Sequence, residues 1–334
     1  MINFEYAQPR TEAEAVEFLQ SHCGQTAVLA GGTDLFNLLR SDLIAPKRVV
    51  DIKRIESLKG IQQVSDGLLI GAATTLDEIL ASPLLSPYHS LRQIADAHHS
   101  MQIQAMGTLG GDLCHLPNCW YFRNGYGLLG TMDGQSLAAD GRNQFHAIFG
   151  NRGPAMFVSA SRFAPALIAW GAKVRLVGPA PDQVELMPLE YFYVNPKTDK
   201  QSVTVLQPGQ FVTHVWLPAV EPTSPVEQLS AAYEVLQLEG LDWPLASAAV
   251  TLGVSAGIVR EAQVVLGHVA PTPWVSLDAS TVLVGREVTA ELAESAAEAA
   301  VAHATPLSEN DYKVSIARAA VKRAILKAVD LLDI

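Results

Sequence analysis

Two short stretches of this chain carry residue types that could do chemistry. One is Leu29-Ala30-Gly31-Gly32-Thr33-Asp34-Leu35, the other Gly107-Thr108-Leu109-Gly110-Gly111-Asp112. Each sets two adjacent glycines beside a threonine and ends near an aspartate. Paired glycines let a backbone turn tightly and approach a guest closely. N–H groups turned the same way form a nest for an anion, and a phosphate is its natural occupant. A single Gly-Gly pair marks no more than a turn. Two of nearly the same form point to one diphosphate held from two sides.

The rest of the chain must position these loops. Its 334 residues exceed one ordinary core, so two or three domains are expected. With 49% hydrophobic and 17% charged residues it is globular. A net charge of −11 and the absence of a basic stretch argue against nucleic acid. No apolar run is long enough to span a bilayer, and Met1-Ile2-Asn3-Phe4-Glu5-Tyr6 has no basic and apolar leader, so a cytoplasmic location is expected. Three cysteines, Cys23, Cys114 and Cys119, are too few and too irregularly spaced for a disulfide framework.

Residues 12–22 read as a helix opened by a capping box, Thr11 with Glu14. A short strand over 27–30 runs into the first Gly-Gly loop. A helix over 33–40 and a strand over 48–52 follow. This is half a nucleotide-binding unit, but Gly-x-Gly-x-x-Gly is absent, which disfavours a Rossmann fold. A strand over 68–72, a helix capped by Thr75 and a helix over 91–98 lead to the second loop. Residues 113–153 lack periodicity, and a segment of that length inside a domain is usually functional. A helix over 165–170 and a strand over 173–177 precede Pro179-Ala180-Pro181, which reads as a joint. Beyond it the pattern predicts strands over 211–218, 245–254 and 259–266, and amphipathic helices over 288–304 and 311–332.

Taken in order, Ala30-Gly31-Gly32-Thr33-Asp34-Leu35, Val50-Asp51-Ile52, Ile70-Gly71-Ala72-Ala73-Thr74-Thr75-Leu76, Met106-Gly107-Thr108-Leu109-Gly110-Gly111, Leu266-Gly267-His268-Val269-Ala270-Pro271 and Tyr312-Lys313 resemble the FAD-binding medium subunit of molybdenum hydroxylases. The resemblance covers essentially the whole chain. It implies an α+β fold. A two-subdomain FAD-binding domain of the PCMH type would fill residues 1–178, divided near residue 54, with a smaller α+β domain and its three-stranded sheet over 179–334. It also implies a job: taking electrons from the [2Fe–2S] clusters of a small subunit, in a complex whose large subunit carries molybdopterin, and passing them through FAD to an acceptor such as NAD or oxygen. The cofactor does the redox chemistry, so no catalytic side chain is expected.

The resemblance assigns cofactor contacts to Leu29, Ala30, Gly31, Gly32, Thr33, Asp34 and Leu35, and to Thr75, Thr108, Gly110 and Gly111. Asp112 stands where the family usually has Asn, and Arg162 where Asp is common. The two could form a compensated pair at the cofactor. The segments Asn118-Cys119-Trp120-Tyr121-Phe122-Arg123 and Phe145-His146-Ala147-Ile148-Phe149-Gly150 resemble the branch with an extra [4Fe–4S] cluster, which includes 4-hydroxybenzoyl-CoA reductase and the periplasmic aldehyde oxidoreductase. Such a cluster needs four thiolates, and 124–152 contains none, so no cluster and no other metal is expected. The altered charges leave an alternative, a cofactor-poor structural subunit of the same kind of complex. A free-standing flavin oxidase is a third reading, with His98-His99 as the nearest candidate for covalent attachment.

Overall fold

The computed structural model of the chain describes residues 2–221, 223–238 and 242–332. The first unit contains β1 (Glu5–Ala7), α1 (Glu12–Gln20), β2 (Thr26–Leu29), α2 (Leu35–Arg40) and β3 (Arg48–Asp51). Its sheet runs β1-β3-β2 with both pairs parallel, so each connection crosses over through other structure. Thr11 accepts the Glu14 N–H at 3.1 Å, as the capping pattern predicts, and Ala15, Val16 and Leu19 of α1 are buried with Val50 and Ile52.

The second unit contains β4 (Ile61–Val64), β5 (Gly67–Gly71), α3 (Leu76–Ala81), α4 (His89–Asp96), α5 (Met101–Met106), α6 (Leu109–Leu113), α7 (Trp120–Arg123), the short β6 (Thr131–Met132) and β7 (Gln135–Ser136), α8 (Phe163–Ala169), β8 (Lys173–Val177), β9 (Val184–Pro188) and β10 (Phe211–Pro218). Its antiparallel sheet runs β4-β5-β10-β8-β9. This corrects one expectation. Residues 211–218 are not a strand of the last domain but the middle strand of this sheet, bonded to β5 on one side and β8 on the other. Pro179-Ala180-Pro181 is not a joint but the turn of the β8–β9 hairpin. A Pro-rich turn and a domain linker have the same composition, and local pattern cannot tell them apart.

The third unit contains β11 (Glu227–Val235), β12 (Ala246–Ser255), β13 (Ile258–Gly267), β14 (Trp274–Val275), α9 (Leu277–Leu283), α10 (Ala290–Val301) and α11 (Tyr312–Ala328). The sheet has four strands rather than three, the fourth being the two-residue edge β14. Its two faces lie in different cores. Ala248, Val250 and Leu252 pack with α10 and α11, whereas Ala232, Ala249 and Val265 pack with α8 and the second unit. That explains why β12 is buried over its first eight residues, on both sides, with only the small Ser247 and Thr251 interrupting its apolar residues. Every residue of α8 is buried as well, so it is apolar all round rather than amphipathic.

A fully buried helix must satisfy its first N–H groups inside the protein. Asp112 does this for α8: it accepts the Arg162 N–H at 3.1 Å, the Phe163 N–H at 3.1 Å and the Ser161 hydroxyl, while Ser161 Oγ accepts the Ala164 N–H at 3.0 Å. Asp112→Ala strands these donors, and its expected cost is about 1–3 kcal/mol. Urea unfolding checks it, with an unchanged midpoint as the contrary result.

Candidate functional site

Between the first and second units lies a cleft of about 730 Å³. Ala30, Gly31, Gly32, Thr33, Asp34 and Leu35 line it from one side, and Thr108, Gly110, Gly111 and Asp112 from the other. Arg162 also reaches its wall. Two expected contacts fall elsewhere. Leu29 is buried in a small cluster with Leu39 and Val49. Thr75 is not among the lining residues and is a helix cap: its hydroxyl accepts the Glu78 N–H at 3.3 Å and its N–H goes to Glu78 at 2.7 Å.

The two glycine loops touch each other. A Cβ on Gly31 would lie 1.8 Å from the Met106 carbonyl oxygen, so only glycine fits there. Gly32 has φ +75°, a left-handed conformation that glycine adopts without strain. Lys53, paired with Asp51 at 2.9 Å, holds the Ala30 carbonyl at 3.1 Å. Asp34 is gripped by both Nη atoms of Arg123, at 2.7 and 3.1 Å, a planar bidentate pair. Arg123 also donates to the Pro117 and Leu116 carbonyls. The irregular 113–153 stretch is therefore latched onto the first glycine loop through α7.

The loops are unequal as donors. Among the described residues the N–H groups of Gly31, Gly32, Thr33 and Asp34 have no acceptor within the protein. In the second loop, Leu109 N–H goes to Thr74 O at 3.0 Å, Gly110 N–H to Ala72 O at 2.9 Å, Gly111 N–H to Thr108 Oγ1 at 3.2 Å and Asp112 N–H to Thr108 O at 2.9 Å. The symmetric clamp expected from sequence thus becomes one donor loop facing one shaped wall. An anion in the cleft would meet donors on the first side. The second loop repeats the Gly-Gly letters, but its glycines serve the start of α6 and its contact with Ala72.

The paired swap of Asp112 and Arg162 takes a different form from the expected one. Asp112 binds the backbone of Arg162, not its guanidinium. The guanidinium makes a buried bidentate pair with Glu234 of β11, with Nε to Oε1 at 2.9 Å and Nη2 on Oε2, and Nη2 also donates to Ala97 O at 3.2 Å. Both side chains of the pair are at most 8% exposed. The two charges are therefore spent inside the protein, and neither stands unpaired in the cleft. Glu234 lies 72 residues from Arg162, and no local signal foretells the pairing.

Several cleft residues were not legible in sequence. Asp242 and Trp243, from the third unit, close one wall, and Trp243 packs edge-on against His115 with centroids 4.7 Å apart. His115 Nδ1 donates to Leu116 O at 2.6 Å and its Nε2 lies 3.5 Å from Asp34. His98 lines the cleft, and its Nδ1 donates to Ile94 O at 2.9 Å. Burial, then the Arg162 charge, pulls its pKa down to about 3, so it is a neutral ring and not a solvated helix end.

The two cysteines of the 113–153 region line different cavities, Cys114 the cleft and Cys119 a smaller one beside it. Burial pushes the Cys114 thiol up to about 12 and raises that of Cys119, the reverse of what thiolate ligands need. Among the described residues, no group of three or more His, Cys, Asp or Glu is placed to hold a metal ion. Iron analysis of the purified chain is expected to find less than about 0.1 iron per polypeptide, and about four would establish a cluster.

A family model described as the FAD binding domain in molybdopterin dehydrogenase matches residues 2–220, and one described as the CO dehydrogenase flavoprotein C-terminal domain matches residues 231–328. The carbon monoxide dehydrogenase medium chain of Hydrogenophaga pseudoflava is 25% identical over 327 residues, which span 96% of each chain. The aldehyde oxidoreductase FAD-binding subunit of Escherichia coli is 25% identical over 328 residues, 97% of this chain and 98% of that one. The solved structure of carbon monoxide dehydrogenase from Hydrogenophaga pseudoflava contains a chain of the same fold, with a TM-score of 0.77, 24% identity and 99% of each chain covered.

Proposed function

The chain belongs to the FAD-binding medium-subunit family of the molybdenum hydroxylases, as an oxidoreductase component, and from that premise we propose which of its residues hold the cofactor and what it is joined to. The observation that carries the proposal is the first glycine loop, whose residues line a cleft of fitting size and whose N–H groups are unengaged within the protein. Gly31, Gly32, Thr33 and Asp34 hold the FAD diphosphate by their backbone N–H groups, and the Thr33 hydroxyl adds a donor. Both arginines at the cleft are already paired, so the anion rests on backbone dipoles and not on a free cation. Arg123, by fixing Asp34, keeps the donor loop in shape before the cofactor arrives. Thr108, Gly110 and Gly111 form the opposite wall, and Trp243 and His98 shield the cleft from water.

Bound FAD supplies the capacity to accept electrons and release them to an acceptor. The partners are a molybdopterin-binding large subunit, where substrate is oxidised, and a small subunit with [2Fe–2S] clusters that feeds this one. The complex works in the cytoplasm, and the acceptor is NAD or oxygen. No helix among the described residues is long and apolar enough to cross a membrane. Affinity purification of the tagged chain from its source cells tests the assembly. The expected result is a stoichiometric complex with a molybdopterin polypeptide and a [2Fe–2S] polypeptide, its flavin bands bleaching when the iron–sulfur bands bleach. A flavin-bearing chain recovered without such polypeptides would refute the assembly.

A further inference from the structure

His98 stands just past the end of α4, on the wall of the cofactor cleft. Its Nδ1 lies 2.9 Å from the Ile94 carbonyl oxygen. A carbonyl only accepts, so Nδ1 carries a proton. The ring runs nearly parallel to that of Phe163, with centroids 6.1 Å and planes 17° apart, so it is held by one face as well as by one nitrogen. Burial, and then the Arg162 charge, keep it neutral. A neutral imidazole with its proton on Nδ1 presents a bare lone pair at Nε2. Nothing in the protein fills that lone pair: Nε2 has no hydrogen-bond partner among the described residues, and Arg162 is committed to Glu234 and to the Ala97 carbonyl. The unpartnered nitrogens of His146, His214 and His268 are sealed from all accessible space, and His98 Nε2 is not among those sealed atoms.

The cleft therefore sorts hydrogen-bonding groups by kind. The first glycine loop offers N–H donors to an anion. His98 offers an acceptor that cannot donate. A guest that satisfies both brings a negative centre and, apart from it, an N–H group. FAD has two ring groups of that kind, the N3–H imide of the isoalloxazine and the exocyclic amine of the adenine. The imide is the stronger donor, because the two carbonyls flanking it draw charge from its nitrogen. We propose that His98 is a specificity-determining residue of the cofactor cleft, its Nε2 accepting a hydrogen bond from the isoalloxazine N3–H. The proposal rests on the assignment of FAD to this cleft.

The test uses the flavin-free full-length chain and three cofactors: FAD, 3-methyl-FAD, which lacks the N3–H, and 1,N6-etheno-FAD, whose adenine amine is blocked. Affinities are read by quenching of flavin fluorescence. The wild type is expected to bind 3-methyl-FAD at least about tenfold more weakly than FAD, because the methyl leaves the lone pair unpaired. His98→Ala removes the lone pair and leaves room for the methyl, so the variant is expected to bind the two within about twofold of each other. Etheno-FAD is expected to differ from FAD by the same factor in both chains. Crowding of the methyl against the ring would give the same ratios, so a second measurement on the wild type reads the bond itself. With nitrogen-15 in the histidines and at flavin N3, the complex is expected to show a scalar coupling from N3 to an unprotonated imidazole nitrogen. An equal methyl penalty in both chains, discrimination that follows etheno-FAD instead, or absence of that coupling would each overturn the proposal and leave FAD in the cleft. A chain that binds no FAD would overturn the cofactor assignment and this proposal with it.

Discussion

Gly31→Ala is expected to strip the chain of its flavin. The new methyl would sit 1.8 Å from the Met106 carbonyl oxygen and 2.8 Å from its carbon, both backbone atoms. No side-chain rotation relieves such a contact, so one of the two loops must move by more than 1 Å. The N–H groups of Gly32, Thr33 and Asp34 move with it, and a donor array displaced by that distance loses on the order of a hundredfold in effectiveness. Flavin released on denaturation should fall from about one per chain to below about 0.1 at micromolar protein. Gly153→Ala is the matched control, because a Cβ there meets nothing within 4 Å. Full flavin content in Gly31→Ala would remove the first loop from the site.

The second large effect is acid lability. Three rings are held neutral in the folded chain: His98 and His268 at about 3 and His146 at about 4. Burial is the main cause in each, and the Arg162 or Lys313 charges add to it. In the unfolded chain an imidazole titrates near 6.5. Between about 6.5 and the folded values, the unfolded chain binds protons that the folded one refuses. These three rings therefore cost nothing above about 6.5, and stability falls as pH drops through that window. At pH 5 each ring costs about 2 kcal/mol, and the three together about 6 kcal/mol, a large share of a typical domain's stability. Asp112 works the other way, since burial raises its carboxyl, and it offsets part of the loss. Urea midpoints at pH 7 and pH 5 provide the check. Equal midpoints would mean that these rings are charged or hydrated in the fold.

Sequence and structure part company at identifiable points. The loops, strands and caps set by neighbours a few residues apart were legible: the Thr11 and Thr75 caps, the Gly-Gly turns, the long strands over 245–254 and 259–266. Interactions spanning many residues were not. Arg162 finds Glu234, Arg123 finds Asp34 across 89 residues, and Asp112 caps a helix 50 residues further on. Charge reversals that look like lost cofactor contacts are in fact internal pairs and caps. The second glycine loop matches the first in letters but not in use, because its N–H groups are consumed by its own helix and by Ala72. The last domain, which shows no chemistry in its sequence, supplies Trp243, His268 and Lys313 to the cavity walls. Each comes from a segment that reads as ordinary turn, strand end or amphipathic helix.

The unequal roles of the two loops can be read one amide at a time. Amide hydrogen exchange on the isotopically labelled chain, with and without FAD, reports which N–H groups the cofactor engages. The expected result is slowing of about tenfold or more at Gly31, Gly32, Thr33 and Asp34, with Leu109 and Gly110, already bonded within the protein, little changed. Protection confined to the second loop, or none at the first, would contradict the account.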